Sequence, residues 1–163
     1  MPKIALISDI HGNLPALEAV LEVLEGYSPD LWICLGDLVG YGPNPSECIN
    51  IVKEREMLTV LGNHDAGVVG KLTIKHFRNP NQRLITMSQE MLSKDEFSWL
   101  SELPLTLSEG DVWVASHSSP IKPMEWGYLD SAIKARKVLS EIEASLCFVG
   151  HTHVPALVSS QIG

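Results

Sequence analysis

Five of the six histidines in this sequence follow short apolar runs, and oxygen-bearing side chains accompany them. The groups are Asp9-Ile10-His11, Gly36-Asp37, Gly62-Asn63-His64-Asp65, His117 and Gly150-His151-Thr152-His153, and only His76 lies outside the pattern. A lone histidine after a strand is more often structural than a ligand. Five of them, interleaved with Asp9, Asp37 and Asn63, form the mixed oxygen and nitrogen set that suits divalent Zn, Mn, Fe or Ni. The carboxylate of Asp37 has two oxygens and can bridge two ions. Gly36, Gly62 and Gly150 allow sharp turns where a strand would end beside a crowded centre.

Bringing these groups together requires strands that end on the same side. Residues 3–8, 31–35, 57–61, 112–115 and 146–149 read as strands. Asn13 caps a helix with Pro15 in its first turn, with Leu17, Val20, Leu21 and Leu24 on its apolar face and Gly26 at its end. A rigid loop at 42–45 precedes a helix opened by Ser46 and running to about Glu56. Residues 131–143 place Ile133, Val138, Leu139 and Ile142 at helical spacing. Strands alternating with helices predict an α/β fold, and ligands of open α/β sheets gather beyond the carboxyl ends of the strands. Residues 66–110 break the alternation. Residues 84–92 read as helical, and Ser93 to Glu96 fit a capping box for a short helix carrying Phe97, Trp99 and Leu100, ended by Pro104. The segment is expected as a helical insertion over the site within one domain, and an ordinary crossover helix pair fits the pattern equally well.

The chain has 163 residues, 45% of them apolar and 20% charged, which suits one globular domain. No stretch approaches the roughly 18 to 20 apolar residues that span a bilayer, and the apolar run after Lys3 is too short for a signal-peptide core. A cytoplasmic location without membrane contact is the expectation. Cys34, Cys48 and Cys147 form no C-x-x-C pair, and Cys34 and Cys147 read as small buried hydrophobes rather than a disulfide framework. The net charge of −8 weighs against nucleic acid as a partner. Two bound divalent ions would add about four positive charges in one cleft and attract small anions there.

The ordered series Asp9-x-His11, Gly36-Asp37, Gly62-Asn63-His64-Asp65, His117 and Gly150-His151-Thr152-His153 resembles the calcineurin-like metallophosphoesterase superfamily. The stretches following Asp9 and Gly36 look most like its small bacterial and archaeal phosphodiesterase branch. The resemblance runs from residue 4 to residue 154. It implies two packed mixed β-sheets flanked by helices, and a hydrolase of phosphate esters, with a small-molecule and nucleotide-derived substrate in view. It also implies two divalent metal ions: Asp9, His11 and His153 at the first, Asn63, His117 and His151 at the second, and Asp37 shared. Ions about 3.5 to 4 Å apart can activate a shared hydroxide and clamp phosphate oxygens. His64 would stand over the phosphate and protonate the leaving oxygen. Asp65 is a candidate partner for His64 by sequence proximity, or else caps a turn.

Several positions depart from the pattern. Gly40 and Tyr41 replace the aspartate and arginine of the protein-phosphatase branch, which disfavours that activity and leaves nothing evident to orient His64. Tyr41 lines the pocket or packs beneath the loop. His117 is followed by Ser118 rather than glycine, which keeps the imidazole. Trp99, Trp113 and Trp126 read as packing residues. Lys71, Lys75, His76 and Arg78 form a basic cluster that contacts an anionic substrate or is a solvated face. Ten residues follow His153. Residues 155–160 are expected to begin a further strand of a second sheet whose C-terminal part is missing, leaving an edge that invites a homo-oligomer. A non-catalytic metal-binding scaffold of the same superfamily is the alternative to an enzyme, and a nuclease is disfavoured by the acidic composition.

Overall fold

A computed structural model describes residues 2–159. The elements run β1 (Ile4–Ile7), α1 (Leu14–Glu25), β2 (Leu31–Cys34), α2 (Pro45–Glu54), β3 (Leu58–Thr59), α3 (Asn63–Val68), α4 (Asn79–Met91), α5 (Lys94–Glu102), β4 (Thr106–Glu109), β5 (Trp113–Ser116), α6 (Ala132–Glu141) and β6 (Leu146–Val149). They form two three-stranded sheets, β1-β2-β3 and β4-β5-β6. The α/β class with two sheets flanked by helices is as expected. The second sheet is mixed, because β4 runs antiparallel to β5 and β6 parallel to it, whereas the first is parallel throughout.

Two apolar layers hold this arrangement. Ile33, Leu35 and Val60 of the first sheet meet Trp113 and Ala115 of the second, with Leu107 and Phe148 at the margin. On its other face the first sheet packs Ile7 and Cys34 against Leu17 and Leu21 of α1 and Ile49 and Val52 of α2. Burying one such aliphatic side chain contributes about 1.5–3 kcal/mol. Asn13 Oδ1 accepts the Ala16 N–H at the start of α1, as its sequence requires. The Ser93–Glu96 capping box closes as expected, and Glu96 also accepts hydrogen bonds from Ser46 and Asn50, tying α5 to α2.

The structure corrects several sequence expectations. The third strand has two residues rather than five, because after Val60, which still donates to the Cys34 carbonyl, the Leu61 N–H turns to the Pro104 carbonyl instead. Asn63 to Val68 form a helix that Gly62 and Gly67 hide in the sequence. Helix α4 starts at Asn79, ahead of the expected residues 84–92, with Pro80 in its first turn. The segment 66–110 packs α4 and α5 on α2 and α3, and its end supplies β4 to the second sheet. Helix α6 buries only Val138 fully and leaves Ile133 82% exposed. Residues 155–159 form no strand; Ser160 lies outside the described residues. All three cysteines are free thiols. Among the described residues no helix is long and apolar enough to cross a membrane.

Candidate metal centre

The loops that follow β1 and β2 lie side by side. Asp9, His11 and Gly12 donate their backbone N–H groups to the carbonyls of Gly36, Asp37 and Leu38 at 3.0, 2.8 and 2.7 Å. Asp65 fixes the second loop to the turn before α3. Its carboxylate accepts N–H groups from Asp37 at 2.8 Å, Leu38 at 2.9 Å, Val39 at 3.2 Å and Gly62 at 3.0 Å. Asp65 is therefore the turn-capping group and makes no hydrogen bond to His64. Burial and the charge of Asp37 push its carboxyl up to about 7, against the pull of these donors. Asp65→Ala would leave several buried N–H groups unpaired. A loss of about 3 kcal/mol or more in urea unfolding is the expected result, and a loss below about 1 kcal/mol would show that other acceptors reach these donors.

This framework aims both carboxylates at one centre. Asp9 Oδ2 accepts from Ser8 Oγ at 2.6 Å and from the His151 N–H at 3.1 Å, while Oδ1 is buried without a hydrogen bond, 3.2 Å from His153 Nε2. Asp37 Oδ1 accepts the His64 N–H at 2.8 Å, and Oδ2 lies 3.3 Å from His117 Nε2 and 3.7 Å from His11 Nε2. The sequence reading gave both oxygens of Asp37 to bridging. The structure commits one to the backbone and leaves one between the two groups. Around that oxygen, His11 Nε2 lies 3.2 Å from His153 Nε2, and His117 Nε2 lies 3.0 Å from Asn63 Oδ1 and 3.1 Å from His151 Nδ1. Asp9, His11 and His153 form one metal-competent group, and Asp37, His117 and His151 another.

The tautomers show whether cations fit. His11 Nδ1 bonds the Val39 carbonyl at 2.9 Å, His117 Nδ1 the Leu35 carbonyl at 2.8 Å, and His151 Nε2 the Trp126 carbonyl at 3.0 Å. A carbonyl only accepts, so each of these nitrogens carries the proton and the other ring nitrogen presents its lone pair inward. Lone pairs of imidazoles, carboxylates and an amide oxygen then face one another at hydrogen-bond distance. They repel unless cations or protons lie between them. The donor set, the orphaned Asp9 Oδ1 and the outer carbonyls all fit divalent ions. Without an ion a proton takes that place at one position. Burial opposes a charge on His117, but Asp37, with Asp9 and the Leu35 carbonyl, raises its pKa to about 9.

Five of the seven candidate ligands have left-handed backbones: Asp9 (φ 55°), His11 (51°), Asp37 (54°), His151 (69°) and His153 (55°). Non-glycine residues adopt this region uncommonly, so its concentration here marks the site independently of side-chain chemistry. Gly36 also needs its positive φ of 86°. Gly62 and Gly150 do not; they are required because a Cβ would overlap the Asp37 backbone or Ser8 Oγ.

His64 is buried beside this centre, its ring centroid 4.7 Å from that of His11. Packing orients it. A Cβ on Gly40 would overlap the imidazole, Tyr41 lies 4.6 Å from it and Phe77 5.0 Å. Tyr41 therefore lines the site instead of packing beneath its loop. His64 Nδ1 is buried without a hydrogen bond. Burial, reinforced by the neighbouring imidazoles, lowers its pKa to about 4 despite Asp37. A cleft of about 380 Å³ opens from His64, Asn63 and His151 toward His76, Arg78 and Asn81. Half of the basic cluster thus reaches the site, while Lys71 bonds the Ser101 carbonyl elsewhere. Trp126, expected only as a packing residue, does pack on the core but is also left-handed at φ 51° and gives its carbonyl to His151, and sequence reasoning missed Tyr128, stacked on His151 at 4.1 Å. No sequence motif marks either residue.

Fold and site together define a metallophosphoesterase-type protein. Residues 2–155 match the calcineurin-like phosphoesterase family, and the chain belongs to it. Members of this family typically bind divalent metals. An uncharacterized protein of Methanocaldococcus jannaschii is 36% identical over 166 residues, covering 97% of this chain and 65% of that protein. A symmetrical bis(5'-nucleosyl)-tetraphosphatase of Actinobacillus pleuropneumoniae is 26% identical over 144 residues, covering 85% of this chain and 52% of the enzyme. The crystal structure of a metallophosphoesterase from Sphaerobacter thermophilus matches with a TM-score of 0.79 and 40% identity, over 93% of this chain and 61% of that one. The chain spans between about half and just under two thirds of the length of these relatives.

Proposed function

We propose that the protein is a dinuclear metal-dependent phosphoesterase acting on a small, nucleotide-derived phosphate ester. The observation that carries this reading is the convergence of inward lone pairs on Asp37 Oδ2. Asp9, His11 and His153 with Asp37 would hold one ion, and Asn63, His117 and His151 with Asp37 the other. Bound there, the ions would supply Lewis-acid polarisation of the phosphate and a nucleophile at neutral pH. His64 is neutral before substrate arrives, given its pKa near 4. An anionic phosphate in the cleft raises that value and lets the imidazole hold, then deliver, a proton to the leaving oxygen. Phe77 and Tyr41 pack against its ring. The relatives named as tetraphosphatases support a nucleotide-derived substrate.

The test is hydrolysis of bis(p-nitrophenyl) phosphate and of nucleotide esters with added manganese, with metal content measured on the same sample. Two ions per chain, turnover, and reversible loss with a chelator are expected. Metal-loaded protein that turns over neither mono- nor diesters would instead favour the non-catalytic metal-binding scaffold.

A further inference from the structure

We infer that Arg78 is a specificity-determining residue that grips a second phosphate, so that the preferred substrates carry a phosphate beyond the one that reacts. This assignment rests on the phosphoesterase reading above. The cleft joins two unlike ends. One end holds Asn63, His64 and His151, next to the candidate ions; the other holds Arg78 beside His76 and Asn81. A volume of about 380 Å³ falls within the range of small-molecule sites and exceeds what one phosphate group needs.

Arg78 is exposed on that wall, and its side chain has no hydrogen bond or ion pair among the described residues. The carboxylate that shares the cleft, Glu125, is instead neutralised by Lys122 at 2.9 Å. The segment bearing Arg78 is held on both sides. Phe77 is buried against the His64 ring, and its carbonyl accepts from Gln82 Nε2 at 2.7 Å. Asn81 Nδ2 donates to Tyr41 Oη at 3.2 Å, and Tyr41 packs on His11 and His64. The backbone of Arg78 is thus fixed relative to the reacting end by contacts that run through the site. An unpaired guanidinium carried on a positioned backbone is suited to bidentate phosphate binding, and phosphate is the anionic group a polyphosphate chain would extend along this cleft.

The experiment compares KM and kcat of the metal-saturated full chain for a dinucleoside tetraphosphate and for bis(p-nitrophenyl) phosphate, whose flanking groups are uncharged. Arg78→Gln should raise KM for the tetraphosphate roughly tenfold or more, with kcat nearly unchanged and less than about a twofold change for the aryl diester. Arg78→Lys should restore part of the difference, since it returns the charge without the fork. Equal changes for both esters, or none for either, would overturn the assignment while leaving the phosphoesterase reading standing. Turnover of the aryl diester alone by the unsubstituted protein would overturn it as well. If the unsubstituted, metal-loaded protein turns over neither ester, the assignment falls, and the phosphoesterase reading falls with it only when phosphomonoesters are not hydrolysed either.

Discussion

Asp37→Asn is expected to lower the metal content from two ions per chain to one or none, and kcat/KM by roughly a thousandfold or more. Oδ1 of Asp37 bonds the His64 N–H, and an asparagine oxygen can keep that bond. Asparagine also tolerates the left-handed backbone at this position. The substitution therefore changes mainly Oδ2, which becomes an amide nitrogen with no lone pair to share. Full metal occupancy in the variant would remove Asp37 from its bridging role. The metal-free protein offers a second readout. Burial alone would raise the Asp37 pKa, but the charge and hydrogen bond of His117 hold it well below the ordinary carboxylate range. His117 is raised in turn, from 6.5 to about 9. A raised folded-state value contributes stability that is full below 6.5 and lost as pH rises through about 9. The share carried by Asp37 is present above 3.8 and lost as pH falls through its depressed value. Chelated wild type should lose stability between pH 6.5 and 9, and chelated Asp37→Asn should show a much flatter curve.

His64→Ala should lower kcat by about 10²- to 10⁴-fold while metal content stays unchanged. In the proposed mechanism the ring would contribute through the phosphate rather than through the ions, so the loss should appear in kcat more than in KM. Because His64 is only 5% exposed, alanine leaves a void, and His64→Gln serves as the better-filled companion. Parallel loss of metal in both variants would make His64 an eighth ligand. That outcome is a real alternative in geometry, because His64 approaches His11 and Asp37 closely enough to share an ion with them.

How much of this could be read from the sequence depended on the distance over which the deciding interaction acts. The strand after Lys3, the Asn13 cap, the Ser93–Glu96 box and the strand-end groups are local patterns, and each is found where expected. Helix α3 was hidden because Gly62, Asn63 and Asp65 are turn residues by propensity. Their helical geometry is set by Asp65 reaching across to the backbone at 37–39. Strand β4, with the polar sequence Thr106 to Glu109, is defined only by its partner β5. Its alternation carries almost no apolar signal. The orientation of His64 was also illegible. It depends on an absent side chain at Gly40 and on Phe77, thirteen residues later, both brought in by the fold. The two-ion division itself came from family resemblance; the geometry brings Asp9, His11 and His153 together and Asp37, His117 and His151 together, and adds a third grouping of His11, Asp37 and His64.

The left-handed backbones at Asp9, His11, Asp37, His151 and His153 bear on the protein's life in the cell. The left-handed region costs an L-residue about 1–2 kcal/mol, less for aspartate. Five such positions together are comparable with the roughly 5–15 kcal/mol that keeps a whole domain folded. Ions that bind only the folded chain offset this cost in proportion to their free concentration. A cell short of the metal would then lose more than turnover. It would hold a chain that opens more often at residues 9–12, 36–40 and 150–153 and meets proteases there. On the proposed metal-dependent reading, metal supply would set the abundance of this protein as well as its activity.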